Sequence, residues 1–407
     1  MGYFKATLRG ISWMGALRAA TRLTAFVRIA ILARILVPDQ FGSYGIALLV
    51  LGFLEIITES GINLVLIQEK KDIDKFIDTA WVFSILRGFL ISIIIIFVAR
   101  LISTFFNLSD AYNLLLLTAL VPAVRGFINP SIVKLQKELM FSKEFFYRFS
   151  IFFVDSAVAI ALALITKNPT SLILGLVAGA LYEVVFTFLA VSPRPRFLFD
   201  FRKVKYIIKR GKWVTGFAVF DYLYTQGDNA VVGKILGAYS LGIYQNAYKI
   251  SLLPLTEFGD VLYKVTVPVF VKISSEKERL KRAFIKNVLG TLGLVIPAGI
   301  LIFLFSKEVV LIILGNNWTQ AIPVFRILVF LGIIRGVANS TNSLFVSTQN
   351  QKFVTITTFV SALTLIVTIV PLVYTFGVLG AAYSAILGTV FAIPFNLYFV
   401  RKLLFEK

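Results

Sequence analysis

A chain of 407 residues with 58% hydrophobic and only 15% charged side chains cannot hide its apolar surface in a water-facing globule, where about 25% charge is usual. Cysteine and histidine are both absent, which excludes disulfides, thiolate metal sites, cysteine nucleophiles and imidazole bases. The net charge of +20 sits mostly in short loops between apolar runs, so it reads as an orientation signal and not as a nucleic-acid surface.

Apolar runs of about 20 residues, the length that crosses a bilayer, follow one another along the chain. The first, Ile11–Leu36, holds four arginines and has no small-residue cleavage site, so it reads as a span and not as a signal peptide. Arg18 and Arg22 are four apart and share a helix face, roughly 10 and 16 Å from the cytoplasmic end; Arg28 lies deeper. The second run, Phe41–Ser60, returns inward carrying Glu55 and Glu59, with Glu55 near the depth of Arg18. Thr79–Leu101 and Leu114–Ile132 follow, the latter with Arg125-Gly126 in mid-span. Phe146–Ile165 carries Asp155, and Leu172–Val191 carries Glu183.

Ser192–Lys212 is the longest basic segment. It contains Pro193, Pro195 and an amphipathic stretch from Phe197 to Ile208. It reads as a linker on the cytoplasmic face, held by anionic membrane lipid. Beyond it come Val214–Leu236 with Asp221 and Asp228, then Leu241–Leu262 with Lys249, Glu257 and Asp260. Val288–Phe305, Ile322–Phe345, Val354–Phe376 and Ala381–Phe399 complete the series. The expected fold is an all-α integral membrane protein of about twelve transmembrane helices. Its N-lobe is 1–191, its linker 192–212 and its C-lobe 213–407. With the N-terminus inside, Lys and Arg crowd the inner loops, while the outer segments hold little beyond Arg100, Lys167 and Lys307. That alternation places both termini in the cytoplasm.

An internal repeat supports two lobes. Ile35-Leu36, Gly42 and Tyr44 recur as Ile235-Leu236, Gly242 and Tyr244, at an offset of 200; Arg125-Gly126 and Asn129 recur as Arg335-Gly336 and Asn339, at an offset of 210. Six spans per half make the repeat parallel, a pattern of secondary transporters with a cavity at the repeat interface.

Charges at membrane depth cost about 2.5–3.5 kcal/mol each, so they face a cavity or a partner. Two readings stay open for Arg18, Arg22, Arg28 and Arg125. They bind an anionic head group, for which the guanidinium fork suits phosphate, or they form structural pairs with carboxylates while Arg28 snorkels. Lys249 and Arg326 are lesser candidates from the second lobe; Arg87 and Arg148 lie near span ends and read as snorkelling. Glu55, Glu59, Asp155, Glu183, Asp221 and Asp228 are candidates for gating or for coupling to H⁺ or Na⁺, with ion pairing as the competing reading. Asp72-Ile73-Asp74 looks like the metal pair of some glycosyltransferases but sits in a short Lys/Asp-rich loop, so it reads as solvated. No P-loop, Gly-x-Ser-x-Gly or HExxH motif is present, so neither an ATP-driven pump nor a hydrolase is indicated. No cofactor or metal is expected.

The run from Arg34 to Gln68, with Pro38-Asp39-Gln40-Phe41-Gly42-Ser43-Tyr44, Glu59-Ser60-Gly61 and Leu66-Ile67-Gln68, resembles the first two helices of polysaccharide-repeat (O-antigen and lipid-linked oligosaccharide) flippases. Asp228-Asn229, Gly233-Lys234, Leu236-Gly237, Leu241-Gly242-Ile243-Tyr244 and Ala247-Tyr248 are similar to the start of their second lobe. These flippases belong to the multidrug/oligosaccharidyl-lipid/polysaccharide exporter superfamily. The resemblance implies a V-shaped, two-lobed transporter of the bacterial inner membrane. It would carry undecaprenyl-diphosphate-linked oligosaccharide to the periplasmic leaflet for surface polysaccharide such as lipopolysaccharide. A cationic cavity, matched in kind by Arg18, Arg22, Arg28 and Arg125, and a polysaccharide polymerase or glycosyltransferase complex as protein partner are also implied. Related lipid II flippases have fourteen helices, against twelve expected here. A multidrug/cation antiporter of the same superfamily is the alternative, with a membrane polysaccharide polymerase behind it.

Overall fold

The computed structural model describes residues 2–58, 66–67 and 73–406; Glu59 and Asp72 lie outside them. The protein is an all-α, multi-pass membrane protein. With no water in the bilayer core, each backbone N–H and C=O must be satisfied within its own segment, which the helix does. Among the described residues, eight helices are long and apolar enough to cross a membrane, and a bent pair makes a ninth.

The chain folds as two compact units, Met1–Gln226 and Gly227–Lys407. The first contains α1 (Gly2–Ile35), α2 (Pro38–Ile57), α3 (Asp74–Phe106), α4 (Ser109–Thr118), α5 (Leu120–Arg125), a 3₁₀ turn (Pro130–Val133), α6 (Lys134–Lys137), α7 (Phe141–Thr166) and α8 (Thr170–Ala190). Pro38 opens α2 at its first position, where its missing N–H is not needed, and Gln40 Oε1 accepts from Val37 N at 3.1 Å. The same Gln40 donates from Nε2 to Lys167 O at 3.0 Å, tying the start of α2 to the end of α7. Residues 111–125 and 130–137 meet at 72°. Asn129 stabilises that bend, accepting from Ser131 N with its side chain at 2.9 Å and donating to Pro193 O at 3.2 Å.

α9 (Phe201–Lys272) is two helices joined at Gly237, whose φ of 80° is a conformation that favours glycine. The division between the units falls inside it. The segment preceding α9 straps the first unit: Ser131 Oγ also donates to Pro193 O, Arg196 N donates to Asp78 Oδ1, and Phe197 packs on Trp81 at 4.6 Å. The first turns of α9 bury Val204, and Ile207 joins a cluster with Leu66, Ala80 and Val133, while Phe197, Leu198 and Phe201 stay exposed beside Arg194 and Arg202.

The second unit adds α10 (Lys277–Leu304), α11 (Ser306–Ile313), a 3₁₀ turn (Asn316–Trp318), α12 (Ala321–Ser347), α13 (Gln351–Phe376) and α14 (Val378–Leu404). Its core is aromatic, with Phe353 and Phe399 stacked at 4.1 Å and Phe345 edge-on to both. Lipid tails are as apolar as these rings, so close packing and not exclusion from water holds such a core. α13 and α14 form a hairpin through Gly377 (φ 58°), and Gly380 faces the Leu372 carbonyl.

Candidate functional site

In the first unit the intramembrane charges fall into two groups. The inner group joins α1 to α7: Arg28 Nη1 donates to Asp155 Oδ2 at 2.6 Å, with only 12% and 10% of the two side chains exposed. Glycines on α8 make this possible. A Cβ at Gly175 would stand 2.7 Å from the Asp155 carbonyl oxygen and one at Gly179 3.0 Å from its Cβ. Small residues four apart let two helices close on each other, and here they enclose the carboxylate. Arg28, expected either to snorkel or to line a cationic cavity, has its charge matched by Asp155.

The second group surrounds a cavity of about 360 Å³ inside the first unit. Arg125 Nη1 pairs with Glu55 Oε1 at 3.0 Å, and both side chains keep part of their surface open. The two residues line the cavity together. Arg87 donates from Nη2 to the Glu55 carbonyl at 2.7 Å and from Nε to Thr58 Oγ1 at 3.1 Å. Tyr147 OH donates to Glu183 Oε1. Ser84 and the apolar walls of Ile56, Ile91, Pro122 and Ile132 complete the lining. Space for the cluster comes from the approach of α3 to α5, where a Cβ at Gly88 would lie 2.4 Å from the Pro122 carbonyl oxygen and 3.1 Å from Gly126 Cα.

Depth arithmetic set Glu55 beside Arg18, but the structure pairs it with Arg125, because depth fixes height along a helix and not the direction a side chain faces. Arg87 and Tyr147 are the lining residues that sequence reasoning missed. A signal for Arg87 existed: within the apolar spans, Arg-Gly occurs at 87–88, 125–126 and 335–336, and in the first unit both pairs border this cavity. On α1, Arg18 is half-buried and Arg22 exposed. Arg148 pairs with Glu144 at 2.8 Å.

The second unit treats equivalent positions differently. At the offset of 200, Arg28 becomes Asp228 while Tyr44 stays tyrosine as Tyr244. Tyr244 OH donates to Asp228 Oδ2 at 2.8 Å, and Asn229 N donates to Asp228 Oδ1 at 2.7 Å. Arg335, the counterpart of Arg125, donates to Tyr248 OH, and Tyr248 packs on Tyr244 at 5.8 Å. Asn339 donates to Asp260 at 3.0 Å. Arg326 bonds Ser306 at 2.7 Å and lies over Phe303. Lys249 is exposed, as is Asp221 at the end of the first unit. No group of three or more acidic residues suited to a metal ion occurs among the described residues.

Known proteins share both fold and sequence with this chain. It is 26% identical over 347 residues to the lipopolysaccharide biosynthesis protein WzxC of Escherichia coli (strain K12), covering 84% of this chain and 70% of that protein. It is 23% identical over 326 residues to the succinoglycan biosynthesis transport protein ExoT of Rhizobium meliloti (strain 1021), covering 80% and 66%. The inward closed structure of the lipid II flippase MurJ superposes with a TM-score of 0.77 at 16% identity, over 95% of this chain and 87% of that one; at that identity the likeness is one of fold. Residues 31–323 match the family described as Polysaccharide biosynthesis protein, and the chain belongs to that family.

Proposed function

We propose that the protein is a flippase that moves undecaprenyl-diphosphate-linked oligosaccharide repeat units across the bacterial inner membrane by alternating access, for assembly of a surface polysaccharide. The observation that carries this reading is the family membership, joined to relatives whose names give polysaccharide biosynthesis and, in one case, transport. The chemistry agrees. A lipid diphosphate needs cations that stay charged at membrane depth, and Arg does so while offering a bidentate fork. We assign the diphosphate to Arg18 and Arg22, which lie four apart on one face of α1.

The proposal includes twelve crossings with both termini in the cytoplasm, the orientation in which Lys and Arg lie inside. It also includes coupling to H⁺ or Na⁺, with Asp221 and Asp228 as the candidate acids, and a polysaccharide polymerase or glycosyltransferase complex as the protein partner. Replacing Arg18 and Arg22 together with alanine is expected to lower surface-glycan export about tenfold or more, the loss of charge-assisted bonds to a phosphate. Export would be read by glycan extraction at matched protein level. Unchanged export would overturn the assignment. A deletion strain with intact glycan but raised sensitivity to cationic drugs would point to a drug antiporter instead.

A further inference from the structure

The cavity in the first unit is electrically balanced. Arg87, Arg125, Glu55 and Glu183 all line it, so two carboxylates would repel an entering phosphate while two guanidiniums attract it. Yet the polar groups are only partly used. Glu55 spends Oε1 on Arg125 and Glu183 spends Oε1 on Tyr147. Among the described residues, neither Oε2 meets a hydrogen-bond donor, and Ser84 Oγ has no partner. Arg125 bonds Glu55 through Nη1 alone, which leaves its other N–H groups for a ligand. Open acceptors and open donors therefore line one space, between walls of Ile56, Ile91, Pro122 and Ile132.

That combination suits one chemistry. A pyranose ring offers hydroxyls that both donate and accept, with apolar C–H faces between them. Carboxylates accept from its hydroxyls, a guanidinium donates to them, and aliphatic walls cover the ring. At about 360 Å³ the cavity lies within the range of small-molecule sites, about 300–1,000 Å³. It has no room for a whole repeat unit together with its diphosphate.

We propose that this cavity is a subsite for one neutral sugar residue of the transported glycan, with Glu55, Glu183 and Arg125 bonding its hydroxyls and Tyr147 holding Glu183 in place. The proposal rests on the flippase reading and deepens it: glycan selectivity is read inside the first unit, apart from the arginines assigned to the diphosphate.

The test uses the full-length protein in nanodiscs. Saturation-transfer NMR with glucose, galactose, mannose and N-acetylglucosamine is expected to show contact with at least one sugar. Glu183→Gln and, separately, Glu55→Gln should weaken that sugar signal about tenfold, the effect of losing a charge-assisted hydrogen bond, while inorganic pyrophosphate binding is retained. Tyr147→Phe, which keeps the ring and frees Glu183, should weaken it less and change the order of preference among the sugars. Thermal melting of each variant establishes that it is folded. Absence of any sugar signal in the wild type, or sugar and pyrophosphate binding falling together in the folded variants, overturns the subsite. If sugars give no signal but lipid-linked oligosaccharide is still flipped in vesicles, the subsite fails and the flippase reading stands; if flipping is absent, that reading fails too.

Discussion

Asp155→Ala is expected to lower the melting temperature of the purified protein by roughly 10 °C. Removing one partner of a buried ion pair leaves the other charge uncompensated, at a cost of about 3–5 kcal/mol, and each kcal/mol shifts the midpoint by about 2–4 °C in a domain of comparable size. Arg28 has no exit to water in its place, since its side chain is 12% exposed and held at 2.6 Å from Asp155. The double change Arg28→Met with Asp155→Leu should recover most of the loss, because an apolar pair of similar volume avoids both desolvation terms. Melting followed by size-exclusion chromatography in detergent decides the matter. A shift below about 2 °C for Asp155→Ala would mean that the pair contributes little beyond a surface bridge.

Gly380→Ala should be the most damaging methyl addition in the second unit. A Cβ there would stand 1.9 Å from the Leu372 carbonyl oxygen and 2.3 Å from its carbon. Both obstacles are backbone, so no rotamer change relieves them and α13 must move from α14. Overpacking costs about 1–3 kcal/mol where side chains can yield, and more is expected here. Gly290→Ala is the matched control, since nothing lies within 4 Å of its Cβ position. Folded yield of Gly380→Ala should fall well below that of the control, and equal yields would refute the close approach.

Much of this fold was legible because lipid makes hydropathy nearly sufficient: a backbone without water must be helical, and the apolar runs mark where. The family resemblance was legible too, in buried or half-buried residues such as Gly42, Tyr44 and Gly242 that a bare hydropathy count ignores. The site was harder to read. Which residues carry intramembrane charge was plain, but their partners depend on helix rotation, and rotation is set by packing. Glu55 meets Arg125 across 70 residues because Gly88 and Gly126 let α3 and α5 close up. Asp155 meets Arg28 because Gly175 and Gly179 draw α8 onto α7. The glycines were visible in the sequence; the helix each would face was not.

The exchange of Arg28 for Asp228 at matching repeat positions also bears on how each half enters the membrane. Synthesis runs from the N-terminus, so Arg28 is made 127 residues before its partner. Until Asp155 arrives, the buried ion pair cannot form. Asp228 has no such wait, since Tyr244 follows 16 residues later and Asn229 is adjacent. The contact that joins α1 to α7 therefore waits until residue 155 has been made. The second half can secure its own opening helix as soon as one more turn of chain has emerged beyond Tyr244.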